Sequence, residues 1–151
     1  MENKEIDIRR LLPGDLKNFI GLIGLFQEVF ETKETVTVDE PYLTHLLQNP
    51  GFIAFAIFHN DEIIGGATAY TLPMYASKST ELFIYDVAIH QAYQRRGFGA
   101  MLISALKKFC AQNSIGEMFV PAHEEDVHAL DFYRSTGGVE EQVVHFNYTI
   151  E

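Results

Sequence analysis

Two of the chain's five arginines, Arg95 and Arg96, stand beside Gly97 and Gly99 in the stretch YQRRGFGAML, Tyr93 to Leu102. A loop that runs into a helix presents unpaired backbone N–H groups, and the helix dipole adds roughly half a positive charge there, so the arrangement suits an anion. The glycines permit tight turning and close approach, and the arginines add charge. Read alone, the stretch fits a solvated loop, a nucleotide cradle or a basic contact to nucleic acid. A second chemical group is Asp86, which interrupts the apolar segment ELFIYDVAI on a face shared with Ile84 and Ala88. A buried carboxylate is costly unless paired or used, so Asp86 is either a substrate anchor and base or a structural ion-pair or hydrogen-bonded strand acid. Glu81 opens the same strand, further from any reacting centre. His145 has an intrinsic pKa suited to a base, or is a satisfied strand histidine. Glu140 and Glu141 are acceptor contacts or a solvated turn.

Several chemistries lack their parts. A P-loop needs Lys-Ser/Thr after its glycines, and here Gly99 is followed by Ala100-Met101. A dinucleotide fingerprint belongs after the first strand, whereas this one follows the fourth. The histidines of HEEDVH, His123 to His128, are five apart rather than the four that place two imidazoles on one helical face, so no zinc site is expected. That segment reads as a loop and helix cap. Cys110, the one cysteine, falls on an apolar helix face with Leu106 and reads as a structural buried thiol.

Charge narrows the partners. With 21 acidic against 11 basic residues the net charge is −10, which repels phosphate backbones and anionic membranes and attracts cations. No nucleic acid and no membrane partner is expected. Apolar residues make up 47% and charged residues 21% of 151, a globular composition for a single domain over residues 1–151. No long uncharged apolar run or basic-then-apolar leader is visible, so a soluble, cytoplasmic protein is expected.

The elements that must position these residues follow from periodicity. Glu5 to Arg9 alternates as a first strand, and Pro13-Gly14-Asp15 opens a helix carrying Leu16, Phe19, Ile20, Ile23 and Phe26. Asp39-Glu40-Pro41 starts a second, short helix that ends at Asn49-Pro50. Phe52 to Phe58, the turn His59 to Glu62, and Ile63 to Leu72 read as a β-hairpin bulged at Gly65-Gly66. A loop, Pro73 to Thr80, leads to a central strand from Glu81 to Ile89. A helix from Phe98 to Phe109 stops at Asn113-Ser114, and Glu117 to Pro121 is a further short strand. Asp126 to Thr136 is a helix halted by Gly137-Gly138, and Gln142 to Ile150 a final strand. The order is β-α-α-β-β-β-α-β-α-β, an α/β fold with a mixed, mostly antiparallel sheet and helices on both faces.

QRRGFG behind a strand ending DVAI resembles the Q/R-x-x-G-x-G/A motif of the GNAT superfamily of acyl-CoA-dependent N-acyltransferases, and the element order agrees along nearly the whole chain. The resemblance implies acetyl-CoA as acyl donor, with no metal. Backbone groups of Val87, Ala88 and Ile89 would hold its pantetheine arm, and Gln94, Arg95, Arg96, Gly97, Phe98, Gly99 and Ala100 its pyrophosphate. ALDFYRSTG, Ala129 to Gly137, resembles the family's A-x-x-F-Y-x-x-x-G helix, which makes Tyr133 the acid for the departing thiolate rather than only a buried aromatic beside Phe132. Asp126 stands where an asparagine is common, and Gly138 where phenylalanine is usual. A narrower resemblance, to aminoglycoside 3-N-acetyltransferases, rests on YDVAI, FIAFAIF, AYTLPMY and the terminal EEQVVHF. It implies acetylation of an aminoglycoside 3-amino group and antibiotic resistance, with Asp86, Glu81, Glu140, Glu141 and His145 facing the cationic acceptor, and it allows a homodimer. Acetylation of a polyamine, amino sugar or peptide, or a non-catalytic acyl-CoA-binding module, are the alternatives.

Overall fold

A run such as FIAFAIF, apolar on both faces, is stable as a strand only between two covering layers. In the computed structural model, which describes residues 5–33 and 36–151, it forms the centre of β2, Phe52–His59. Around it lie β1 (Ile6–Arg10), β3 (Glu62–Pro73), β4 (Thr80–Ile89) and β5 (Ile115–Phe119), in the spatial order β1-β2-β3-β4-β5. All neighbours are antiparallel except β4 and β5, which are parallel. A parallel pair needs a crossover, and α3 (Phe98–Gln112) supplies it. Helices α1 (Leu16–Val29) and α2 (Glu40–Gln48) connect β1 to β2, and α4 (Val127–Ser135) follows β5. The chain divides into two compact units, one up to Pro121 and one from Ala122 to Glu151.

The first unit carries the sheet and its core. Phe19 of α1 meets Phe52 edge-on at 5.5 Å, and Leu22, Leu25 and Leu47 pack with Ala54, Ala56 and Phe58 on the same side. Phe55, three residues from Phe52 and so on the opposite face, meets Phe109 of α3 at 5.7 Å. Helices therefore cover both faces, as the pattern predicts. Local chemistry sets their starts. The Leu12 N–H donates to Asp15 at 2.8 Å ahead of α1, and Asp39 accepts from the Tyr42 N–H at 3.0 Å to cap α2. Gly66 lets α1 settle onto the sheet: a Cβ there would lie 2.5 Å from Leu22 Cδ1. Asn60 and Asp61, both at positive φ (49° and 68°), make the hairpin turn.

Three expectations shift. The hairpin irregularity lies at Ile64, between the pairs Ile57–Gly65 and Phe58–Ile63, rather than at Gly65-Gly66. β5 begins two residues earlier than Glu117, because the buried Ile115 draws the chain into the sheet. The final strand expected over Gln142 to Ile150 is not formed: the segment has no ladder partner among the described residues, and alternation specifies a strand only where a neighbour and a cover exist. Its Val143, Val144, Phe146, Tyr148 and Ile150 side chains are 74–88% exposed. No helix among the described residues is long and apolar enough to cross a membrane. The question of an N-terminal leader falls partly on residues 1–4, outside the described residues.

Candidate active site

The end of β4 loses its strand partner along one edge. On the β3 side its pairing continues to Ile89–Gly65, but the parallel pairing with β5 stops at Phe83–Phe119. Beyond Phe83, among the described residues, the ladder covers only one edge of β4, and the stretch Val87 to Ile89 has no strand partner on the other. The Gln94 side chain then folds back and donates to the Ile89 carbonyl at 2.8 Å, tying the following loop to the strand end. Gln94 thus positions the joint, a role its place in the motif did not announce.

The loop reaches α3 through two left-handed residues, Arg95 (φ 61°) and Gly97 (φ 87°). Gly97 occupies the N-cap without any side-chain cap, and the first helical bond runs from the Met101 N–H to the Gly97 carbonyl at 3.1 Å. The amides of Phe98, Gly99 and Ala100 precede that bond, so they are the donors a helix start offers to an anion. The Arg96 guanidinium sits over the rings of Tyr93 and Phe98, at 5.3 and 5.6 Å. Strand end, loop and helix start form one contiguous joint with open amides and two guanidiniums, a donor set that fits a pantetheine arm followed by a pyrophosphate.

Asp86 shares a face with Ala88, as expected, but not with Ile84. Asp86 pairs with Thr68 and Phe83 with Tyr70, while Ile84 pairs with Ala69. Thr68 and Tyr70, two apart, share a face, so Asp86 and Phe83 share it too although they are three apart. The register shift between Thr68 and Ala69 makes this geometry, by bulging β4 at Tyr85. Asp86 is therefore on the side of Thr68, Tyr70 and Ala88, and Ile84 is buried on the other. Burial pushes its carboxyl above the usual aspartate range, and no ion pair or hydrogen bond to it occurs among the described residues. Half-buried Tyr70 is also shifted upward, by burial first and then by Tyr85, Tyr42 and Asp86. Tyr70 and Thr68 went unmarked in the sequence because only the bulge reveals what they face. Glu81 pairs with Leu72 near the other end of β4. At about 3.3 Å per residue it lies roughly 16 Å along the strand from Asp86, so the two do not share a point of contact. Cys110 is buried, and burial raises its thiol pKa, as a structural cysteine requires.

In the second unit, Asp126 caps α4 by accepting from the Ala129 N–H at 3.1 Å, a bond that asparagine would make equally well. Gly137 (φ 93°) stops the helix, and the Gly138 N–H donates to the Tyr133 carbonyl at 2.9 Å. A Cβ on Gly138 would lie 2.9 Å from that oxygen, so a larger residue would strain this stop. Tyr133 packs against Phe132 at 5.2 Å between ring centres. Glu140 is paired with Arg134 at 2.9 Å, and Arg134 also reaches Asp131 at 3.4 Å. Glu141 and His145 are exposed in the segment after α4.

Strand, bulge, glycine loop and helix start define an acyl-CoA-dependent transferase fold, and the comparison with known families agrees. Residues 19–137 match the model of the acetyltransferase (GNAT) family, and the chain belongs to it. Acetyltransferases of this family take their acetyl group from acetyl-CoA. Among solved structures, the chain is similar to the aminoglycoside acetyltransferase meta-AAC0020 from an uncultured soil metagenomic sample. In the complex with sisomicin that protein is 42% identical, with 97% of each chain covered and a TM-score of 0.94. The aminoglycoside acetyltransferase HMB0005, also from an uncultured soil metagenomic sample, is 33% identical, with 97% of this chain and 99% of that one covered and a TM-score of 0.92. Among curated proteins, the L-ornithine N5-acetyltransferase NATA1 of Arabidopsis thaliana is 26% identical over 80 residues, which span 52% of this chain and 35% of that protein.

Proposed function

We propose that this acetyltransferase moves the acetyl group of acetyl-CoA to the 3-amino group of an aminoglycoside, and that the modification confers resistance to the drug. The observation that carries the reading is Asp86: a half-buried carboxylate with no cationic partner among the described residues, on the part of β4 that lies beyond its pairing with β5. Such a group lowers its own cost by taking a protonated amine. The net charge of −10 draws polycations toward it, and the similarity to aminoglycoside acetyltransferases favours that class of amine over a polyamine or peptide.

In this reading each residue does one thing. The amides of Phe98, Gly99 and Ala100 with Arg95 and Arg96 hold the donor's pyrophosphate, and the open edge of Val87 to Ile89 fixes the pantetheine, so the thioester meets the acceptor in a fixed geometry. Asp86 binds the ammonium form, then takes its proton so that the neutral nitrogen can attack; its raised pKa makes it a stronger base than a solvated aspartate. A strand N–H near Val87 stabilises the tetrahedral oxyanion. Tyr133 protonates the departing thiolate, and His145 and Glu141 add polar contacts to the acceptor. A homodimer belongs to the same reading, since a second copy would cover the exposed apolar residues between Val143 and Ile150.

The test is thiol release. Purified protein, acetyl-CoA and a panel of aminoglycosides, polyamines and peptides are mixed, and free CoA is followed. Release with gentamicin-type drugs, lost when the 3-amine is already acetylated, is the expected result. CoA binding without turnover on any amine overturns it in favour of a binding module.

A further inference from the structure

The face that carries Asp86 also carries aromatic rings in an arrangement that burial alone does not require. Tyr85, at the bulge, is 62% exposed, yet its ring is held upright between two others: Tyr70 and Phe83 each meet it at 6.1 Å and 88°. Neither neighbour is loose. Tyr70 leans on core residue Phe52 at 5.4 Å, and Phe83 stacks on Phe119 at 5.1 Å. An exposed ring on the surface usually has several rotamers; this one is braced by β3, β4 and β5 beside a carboxylate that lacks a cation.

We infer that Tyr85, braced by Tyr70 and Phe83, is a wall that selects ring-shaped aminopolyols, stacking on the apolar face of a sugar or cyclitol ring while Asp86 takes an ammonium group at its edge. This rests on the acceptor reading above and adds what distinguishes a cyclic amine from a linear one. A saturated ring presents axial C–H groups to an aromatic face and its ammonium groups to the ring quadrupole. A linear polyamine has no such face and engages the carboxylate alone. Tyr70 is here a positioning residue, setting the angle of Tyr85.

The experiment compares wild type, Tyr85→Ala, Tyr85→Phe and Tyr70→Leu, with sisomicin as acceptor and spermidine as acceptor or competitor. Tyr85→Ala should raise the KM for sisomicin about 10-fold or more, as loss of a desolvated ring and cation contact implies. The KM for acetyl-CoA and the apparent affinity for spermidine should stay within about threefold, a margin below 1 kcal/mol. Tyr85→Phe, which keeps the ring, should stay within the same margin for sisomicin. Tyr70→Leu should raise the KM for sisomicin less than Tyr85→Ala while leaving the acetyl-CoA KM unchanged. The chain has seven tyrosines and no tryptophan, so titration of sisomicin into the CoA complex should give a tyrosine difference spectrum that Tyr85→Ala diminishes. An unchanged KM for sisomicin in Tyr85→Ala, or an equal loss for sisomicin and spermidine, overturns the wall while leaving the acceptor reading intact. Turnover of spermidine but not sisomicin by the wild type overturns the acceptor reading itself, and the wall with it.

Discussion

Gly97→Ala isolates the joint between β4 and α3. Gly97 has φ 87°, and a Cβ there would meet nothing within 4 Å, so the substitution introduces strain without a clash. The left-handed conformation costs an L-residue roughly 1–2 kcal/mol, which is offset in part because alanine has fewer unfolded conformations to lose. The net loss of stability is about 1 kcal/mol, a fall of about 2–4 °C in the melting midpoint for a chain of this length. If the free variant relieves the strain by rotating φ, the amides of Phe98, Gly99 and Ala100 turn away from the ligand, and binding must restore the native angle. That adds about 1–2 kcal/mol to the binding cost, a weakening of about 5–30-fold in Kd for CoA. Thermal melting and titration calorimetry with CoA measure the two effects. Gly116→Ala is the control, because its Cβ also meets nothing within 4 Å and its φ is not positive. It should leave CoA affinity unchanged. Amide NMR shifts of Phe98, Gly99 and Ala100 that move in free Gly97→Ala while CoA affinity stays within twofold of wild type would refute the assignment of this helix start as the cradle.

Asp86→Asn tests the carboxylate by pH. Because burial raises its folded-state pKa, the stabilising contribution of Asp86 is complete below the ordinary aspartate range and is lost as pH rises through the raised value. Asparagine should therefore raise the melting midpoint near pH 8 and lose that advantage near pH 4, and the acceptor KM should rise about 10-fold or more. An equal midpoint change at both pH values contradicts the desolvation account. Tyr133→Phe should lower kcat by about 10²-fold with CoA affinity within twofold, and the alkaline limb of the kcat profile should move; an unaltered profile removes Tyr133 as the acid.

Much of this arrangement is legible in the sequence because it rests on local chemistry. Asp39 and Asp126 cap helices, Gly137 ends one, and the two-faced apolar strand demands helices on both sides, each a requirement written within a few neighbouring residues. What escapes is set by pairing. Strict alternation puts Asp86 with Ile84, and only the β3–β4 register, with Tyr85 bulged out, moves Asp86 to the side of Thr68 and Tyr70. The same limit explains Gln142 to Ile150, whose alternating apolar residues read as a strand although a strand exists only where another accepts its hydrogen bonds. Gln94 illustrates a third case: its type fits a ligand contact, while its bond to the Ile89 carbonyl is visible only in the fold.

The central claim is that one nitrogen of an aminoglycoside, held by Asp86, receives the acetyl group. It is tested most directly by incubating the wild-type protein with acetyl-CoA and sisomicin and assigning the product by two-dimensional NMR. The expected result is a single monoacetylated product whose amide lies on the 3-nitrogen, formed far more slowly by Asp86→Asn. Acetyl on another nitrogen, or a product formed equally well without the Asp86 carboxylate, would contradict it.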